Sequence, residues 1–174
     1  MTSFYFIRHG AAENSEANTK IYQNWGANMV PLSDEGVDQI KNIAKNIRLR
    51  KSEIIITSPF GRALHTAGIL SKALNVDFKV ETDLHEWLPD INYKYLTDDK
   101  MMEALKEYLK NNGLKTPKSK YNYETIIDIK KRIESVLKKY RNYKKVIVVT
   151  HGVVIQAFLG ISYPNNGEIN LFKM

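Results

Sequence analysis

Arg8 and His9 close one apolar run, Arg62 follows a second, Glu86 stands alone between His85 and Trp87, and His151 closes a third run. These side chains suit one chemistry, the transfer of a phosphoryl group. An arginine offers a planar fork that matches phosphoryl oxygens, and two forks around a dianion fix its orientation and offset charge developing during transfer. An imidazole among such cations is biased toward its neutral, nucleophilic form, so His9 is the candidate nucleophile. The departing alkoxide then needs a proton from a carboxylic acid whose pKa its surroundings raise, and Glu86 is the candidate acid.

These groups can act together only if the fold brings them to one place. Phe4-Tyr5-Phe6-Ile7 is an unbroken apolar run of aromatic and β-branched residues, the pattern of a strand buried on both faces, and it ends in Arg8-His9-Gly10. A lone Arg-His-Gly also describes an ordinary polar strand end. Val146-Ile147-Val148-Val149 repeats the arrangement and ends in Thr150-His151-Gly152, which packing alone does not explain. Ile54-Ile55-Ile56 is a third short strand, after which Ser58 as N-cap and Pro59 at the first helical position predict a helix with Arg62 in its opening turn. Were the three strands neighbours in a parallel sheet, Arg8, His9, Arg62 and His151 would converge at its carboxyl edge, where helix N-termini also direct free N–H groups.

The remaining elements are read from period and punctuation. Ser33 caps a helix with Val37, Ile40, Ala44 and Ile47 inward, and Arg48, Arg50 and Lys51 suit its C-terminal end. Residues 13–30 read as a polar binding loop, and Phe78 and Val80 as an edge strand. A capped helix is expected over residues 97–112, a second from Asn122, a third over 153–159, and a last strand over 169–172. The aromatic and Met residues within 88–109 predict a helical cap over the pocket. Strands alternating with helices predict an α/β protein, a three-layer α/β/α sandwich with a mostly parallel sheet.

Composition bounds the partners. With 174 residues and 43% hydrophobic, one domain over 1–174 is expected. The absence of cysteine excludes disulfides, thiolate metal sites and cysteine nucleophiles. The net charge of +7 is concentrated at residues 101–145, with 13 Lys or Arg against 5 Asp or Glu, which favours anionic partners. No helix-turn-helix, zinc or RNP pattern supports nucleic acid. No stretch has the length of a membrane span and the start lacks a secretory pattern, so a cytoplasmic protein without membrane contact is expected, as a monomer or homodimer. His9, His85, Glu86 and His151 show no metal-ligand spacing, so neither metal nor cofactor is expected.

Arg8-His9-Gly10, the segment Thr57-Ser58-Pro59-Phe60-Gly61-Arg62-Ala63-Leu64-His65-Thr66-Ala67, Leu84-His85-Glu86 and Thr150-His151-Gly152 together resemble the signatures of the histidine phosphatase superfamily, the phosphoglycerate mutase-like proteins. Pro31-Leu32-Ser33 with Gly36 matches a further family pattern. The resemblance implies a metal-independent phosphotransferase with a phosphoglycerate mutase-like sandwich. His9 becomes phosphorylated, Arg8, Arg62 and His151 hold the phosphoryl group, and Glu86 donates the proton and later activates water. The family's usual Asn seven positions after the Arg is here Ser15, with Asn14 one place early, so Asn14, Ser15 and Gly152 are the expected substrate contacts. Ala11 and Ala12 replace the residues that commonly follow Arg-His-Gly. After the acid, Trp87-Leu88-Pro89-Asp90 lacks the Arg-x-Tyr-Gly of the mutases, so a small phosphomonoester and hydrolysis are preferred to mutase activity, or to a pocket that binds phospholigands without turnover.

Overall fold

The computed structural model of the chain describes residues 1–15 and 20–174. Five strands, β1 (Ser3–Arg8), β2 (Ile54–Thr57), β3 (Phe78–Val80), β4 (Lys145–Thr150) and β5 (Ile169–Lys173), form a sheet in the order β3-β2-β4-β1-β5. The first four run parallel, and β5 pairs antiparallel with β1. The three apolar runs of the sequence are the three central strands. Successive residues on a strand face opposite sides, so each run supplies two cores. Phe4, Phe6, Ile54, Ile56, Val146 and Val148 pack with α3 (Asp98–Lys110), α4 (Ile126–Lys138) and α5 (Gly152–Leu159). Ile7, Ile55, Ile147 and Val149 pack with α1 (Asp34–Ile43) and α2 (Gly61–Leu74). The result is a mixed α/β fold with helices on both faces of a mostly parallel sheet. β3, with all three residues exposed, is the edge strand that its alternating charges predict.

Several boundaries depart from the expected ones. α2 begins at Gly61 with Phe60 as its N-cap and no side-chain cap, so neither Ser58 nor Pro59 starts it. The Ser58 hydroxyl accepts from the Phe60 N–H before the helix and meets His151. Ser33 caps α1 by accepting from the Gly36 N–H, but the helix stops at Ile43. Ile47 is left 72% exposed, and Leu49 turns inward from the 3-10 turn Ile47–Leu49 that Asn46 caps. α4 starts at Ile126, four residues after Asn122, because Thr125 and Asp128 close a capping box there. Thr97 precedes α3 without a side-chain cap. Within the expected 13–30 loop the chain makes 3-10 turns at Lys20–Tyr22 and Asn24–Met29, while residues 16–19 of that loop lie outside the described residues. Of the segment expected to cap the pocket, Leu88, Pro89, residues 93–96 and the first turn of α3, with Asp98 and Met101, line a cavity beside the strand ends, while Ala104 and Tyr108 farther along α3 are buried with Trp87 and Tyr123 in the core.

Candidate active site

The register of the sheet decides which strand ends are level. Arg8 pairs with Thr150 and Thr57 with Val149, and the ladder continues as His9 N–H donates to Thr150 O at 3.1 Å and Ser58 N–H to Val149 O at 3.0 Å. His9, Ser58 and His151 therefore leave the sheet side by side. Beyond them lies a cavity of about 360 Å³ lined by Arg8, His9, Asn14, Arg62, Glu86 and Tyr163 among others. Asn14 reaches it. Ser15 is exposed and bonded through its N–H and hydroxyl to the Glu13 carboxylate, and Gly152 lies under the Tyr163 ring, where a Cβ would come within 2.3 Å of it. The lining includes neither Ser15 nor Gly152.

His9 is held in a defined tautomer. Its Nδ1 is 2.7 Å from Gly10 O, a carbonyl that can only accept, so Nδ1 carries the proton. Nε2 is then the lone-pair nitrogen, and it accepts from Arg62 Nε at 3.1 Å. The backbone is fixed as well. His9 O accepts from Asn166 Nδ2 at 2.8 Å, and Gly10 N–H donates to Thr66 Oγ1, whose hydroxyl donates to Arg62 O. Gly10 meets the start of α1: a Cβ there would lie 2.6 Å from Gly36 O, and one on Gly36 would lie 2.0 Å from Ala11 O. The two glycines let helix and strand end touch, which gives the Pro31 to Gly36 pattern a packing origin.

Arg8 donates from Nη1 to Pro164 O at 2.8 Å and lies over the Tyr163 ring, 4.7 Å from its centre. His151, fully buried, packs against the His9 ring at 5.1 Å and places Nε2 2.7 Å from Ser58 Oγ. Among the described residues, the buried side-chain nitrogens left without a partner are Arg8 Nε and His151 Nδ1. Arg8 Nε is a donor, and so is His151 Nδ1 where the Ser58 hydroxyl, which accepts from Phe60 N–H, donates to Nε2; a buried donor without an acceptor is costly, and a phosphoryl group would supply acceptors. The predicted groups thus come together, and both orphans lie among them. His9, His85, Glu86 and His151 do not form a metal-holding cluster.

Burial and neighbouring cations set the protonation states. Burial first, then Arg62, with Arg8 adding to it, pushes the His9 imidazole down to about 3 against the opposing pull of Gly10 O. Burial and then Arg62 and His9 hold His151 well below the usual imidazole range. Both rings are neutral at pH 7. The unfolded chain takes up protons at these positions below pH 6.5 while the folded chain refuses them, so stability is present above that pH and falls as pH drops toward 3. For His9 alone the loss at pH 4.5 relative to pH 7.5 is about 2–3 kcal/mol. Urea melts across that range should show it, and His9→Asn should flatten the dependence by that amount; an unchanged slope would contradict the assignment.

Glu86 follows the 3-10 turn Thr82–Leu84, which Thr150 Oγ1 ties to the end of β4 by donating to Leu84 O at 2.8 Å. Its Oε1 accepts from Trp87 N–H at 2.8 Å, and burial raises its carboxyl pKa against the lowering effect of that bond and of Arg62, Arg132 and Arg8. Behind it, buried Glu124 accepts from Leu88 N–H and pairs with Arg132 at 2.5 Å, while Arg132 also donates to Asp83 O. His85 Nδ1 contacts Glu86 O and His65 Nδ1 accepts from Leu32 N–H, so both have local structural roles. Sequence reasoning missed Ser58, read as a cap, Asn166, which falls in a turn expected over residues 164–167, and Tyr163 just before that turn. A proline after Ser58 hid the first. No local signal marks the other two, because pairing of β5 with β1 is what carries their turn to the site.

Comparisons with known proteins agree with this geometry. Residues 4–164 match the family model described as "Histidine phosphatase superfamily (branch 1)". The "Uncharacterized phosphatase PhoE" of Bacillus subtilis is 29% identical over 91% of this chain and 76% of its own length. The "Probable phosphoglycerate mutase GpmB" of Photorhabdus laumondii is 26% identical over 98% of this chain and 80% of its own. Among solved structures, a phosphoglycerate mutase from Bacillus anthracis superposes with a TM-score of 0.70 at 19% identity, covering 98% of this chain and 86% of that one, and so shares the fold.

Proposed function

Because the chain belongs to the histidine phosphatase superfamily, whose members matched here carry phosphatase and mutase names, we propose that it is a metal-independent phosphomonoester hydrolase acting through a phosphohistidine on His9. The observation that carries this reading is the pair of bonds on the His9 ring, Nδ1 to Gly10 O and Nε2 to Arg62 Nε. They leave an unprotonated Nε2 beside two arginines. On binding, the phosphoryl oxygens take the donors of Arg8, Arg62 and His151, and Arg62 exchanges its bond to Nε2 for one to substrate. Nε2 forms the bond to phosphorus as the ester P–O bond breaks, and the leaving alkoxide takes the Glu86 proton. In the second half, Glu86 as carboxylate removes a proton from water, whose oxygen attacks phosphorus. The N–P bond breaks, returning neutral His9 and free phosphate. Asn14, at the cavity wall, is the substrate contact this reading keeps.

Water as acceptor is favoured by the residues on the C-terminal side of the acid. A mutase must hold a doubly phosphorylated intermediate away from water, which takes further cationic contacts and a closed site. Trp87 is turned into the core, and Leu88, Pro89 and Asp90 bring no cation. Given 3-phosphoglycerate and a catalytic amount of its bisphosphate, the protein should release phosphate slowly and form little 2-phosphoglycerate. Isomerisation faster than phosphate release would overturn the reading.

A further inference from the structure

A second cavity of about 160 Å³ adjoins the one at the strand ends, with Ala27, Arg62 and Glu86 in the walls of both. The second compartment is built from aromatic rings. Trp25 and Tyr93 stack with centres 4.1 Å apart and planes 13° from parallel, Tyr95 meets Trp25 edge-on at 5.8 Å, and Asn28 Nδ2 donates to the Tyr93 hydroxyl at 3.3 Å. Leu88, Leu96 and Met101 add apolar wall. Trp25 and Tyr93 remain 41% and 50% exposed, so core packing does not account for them. Beyond the shared residues the charges there are Lys94 and Asp98, one of each sign, with no second arginine fork for a carboxylate or another phosphate.

Glu86 stands where the two spaces meet, so an ester oxygen protonated there has its phosphorus on the His9 side and its carbon on the aromatic side. Resting on the phosphomonoester reading, we infer that the second compartment takes the alcohol portion of the substrate and selects an uncharged, apolar group of single-ring size. Its volume matches the roughly 150 Å³ in which an apolar cavity accommodates benzene, and falls short of a nucleoside. Stacked aromatic walls reward a flat or branched hydrocarbon and give a sugar acid little. The substrate class is therefore an aralkyl or short alkyl phosphate.

Non-hydrolysable phosphonates separate this subsite from the reaction. By calorimetry, benzylphosphonate should bind at least about 10-fold more tightly than methylphosphonate, as burial of one ring's apolar surface implies, and 2-carboxyethylphosphonate should gain nothing over methylphosphonate. Trp25→Ala and Tyr93→Ala, both at exposed positions, should bring the benzyl-to-methyl ratio toward one. Equal affinities in the wild type, a ratio unchanged or raised in both variants, or preference for the carboxylate would overturn the assignment. A benzyl preference in a protein that hydrolyses neither benzyl nor ethyl phosphate would support the compartment and overturn the hydrolase reading instead.

Discussion

Mixed with a phosphomonoester and quenched in alkali within the first turnover, the wild-type protein should gain the mass of one phosphoryl group, and His9→Ala should gain none. Phosphohistidine is labile in acid and survives base, so an acid quench should lose the label. Turnover in His9→Ala should fall by roughly 10⁴-fold or more, as expected when a covalent nucleophile is removed and only binding groups remain. The size of the effect follows from geometry: the other described imidazole in the cluster, His151, is fully buried with its Nε2 at Ser58, and cannot take over. Equal labelling of both proteins would place the phosphoryl group elsewhere.

Glu86→Gln should slow the hydrolysis of alkyl phosphates by about 10² to 10⁴-fold, the range of general acid catalysis. A nitrophenyl phosphate leaves without much help from an acid, so its phosphorylation step, measured in a single turnover, should lose far less. The amide keeps an oxygen for the Trp87 N–H bond that Oε1 now accepts, which limits the change to the missing proton. The raised carboxyl pKa also predicts that wild-type kcat for alkyl esters declines as pH rises past the ordinary carboxylate range and Glu86 loses that proton, with the decline absent in Glu86→Gln. An equal loss for both ester types would make Glu86 structural.

The sheet and the strand-end cluster were legible because both rest on local patterns. Unbroken apolar runs mark strands covered on two sides, and a charged residue ending such a run can only sit at the rim. Arg8, His9 and His151 could therefore be placed at strand ends and Arg62 in the turn of helix after one, and the order β2-β4-β1 is what brings them together. Contacts that depend on pairing between distant segments left no such trace. Asn166 on His9 O and Pro164 O on Arg8 exist because β5 runs back along β1. Glu124 and Arg132 brace the acid from a loop and a helix whose sequence reads as ordinary amphipathic helix start. Ser58 was misread for a different reason: Ser-Pro is a strong helix-start signal, but the helix begins only at Gly61, and the hydroxyl accepts from Phe60 N–H and meets His151.

The position of β1 between β4 and β5 has a consequence for how the protein comes into being. The strand that carries Arg8 and leads into His9 is made well before the two strands that flank it, which are contributed by residues 145–150 and 169–173. During synthesis α1, α2 and β2 with β3 can gather first, while β1 waits as an unpaired apolar segment until residues 145–173 have emerged, and such non-local pairing is slow and exposed to misassociation. The same delay keeps the cation cluster unassembled on a growing chain, for Pro164, Asn166 and the Gly167 N–H bonded to Arg8 O follow β4 in the chain.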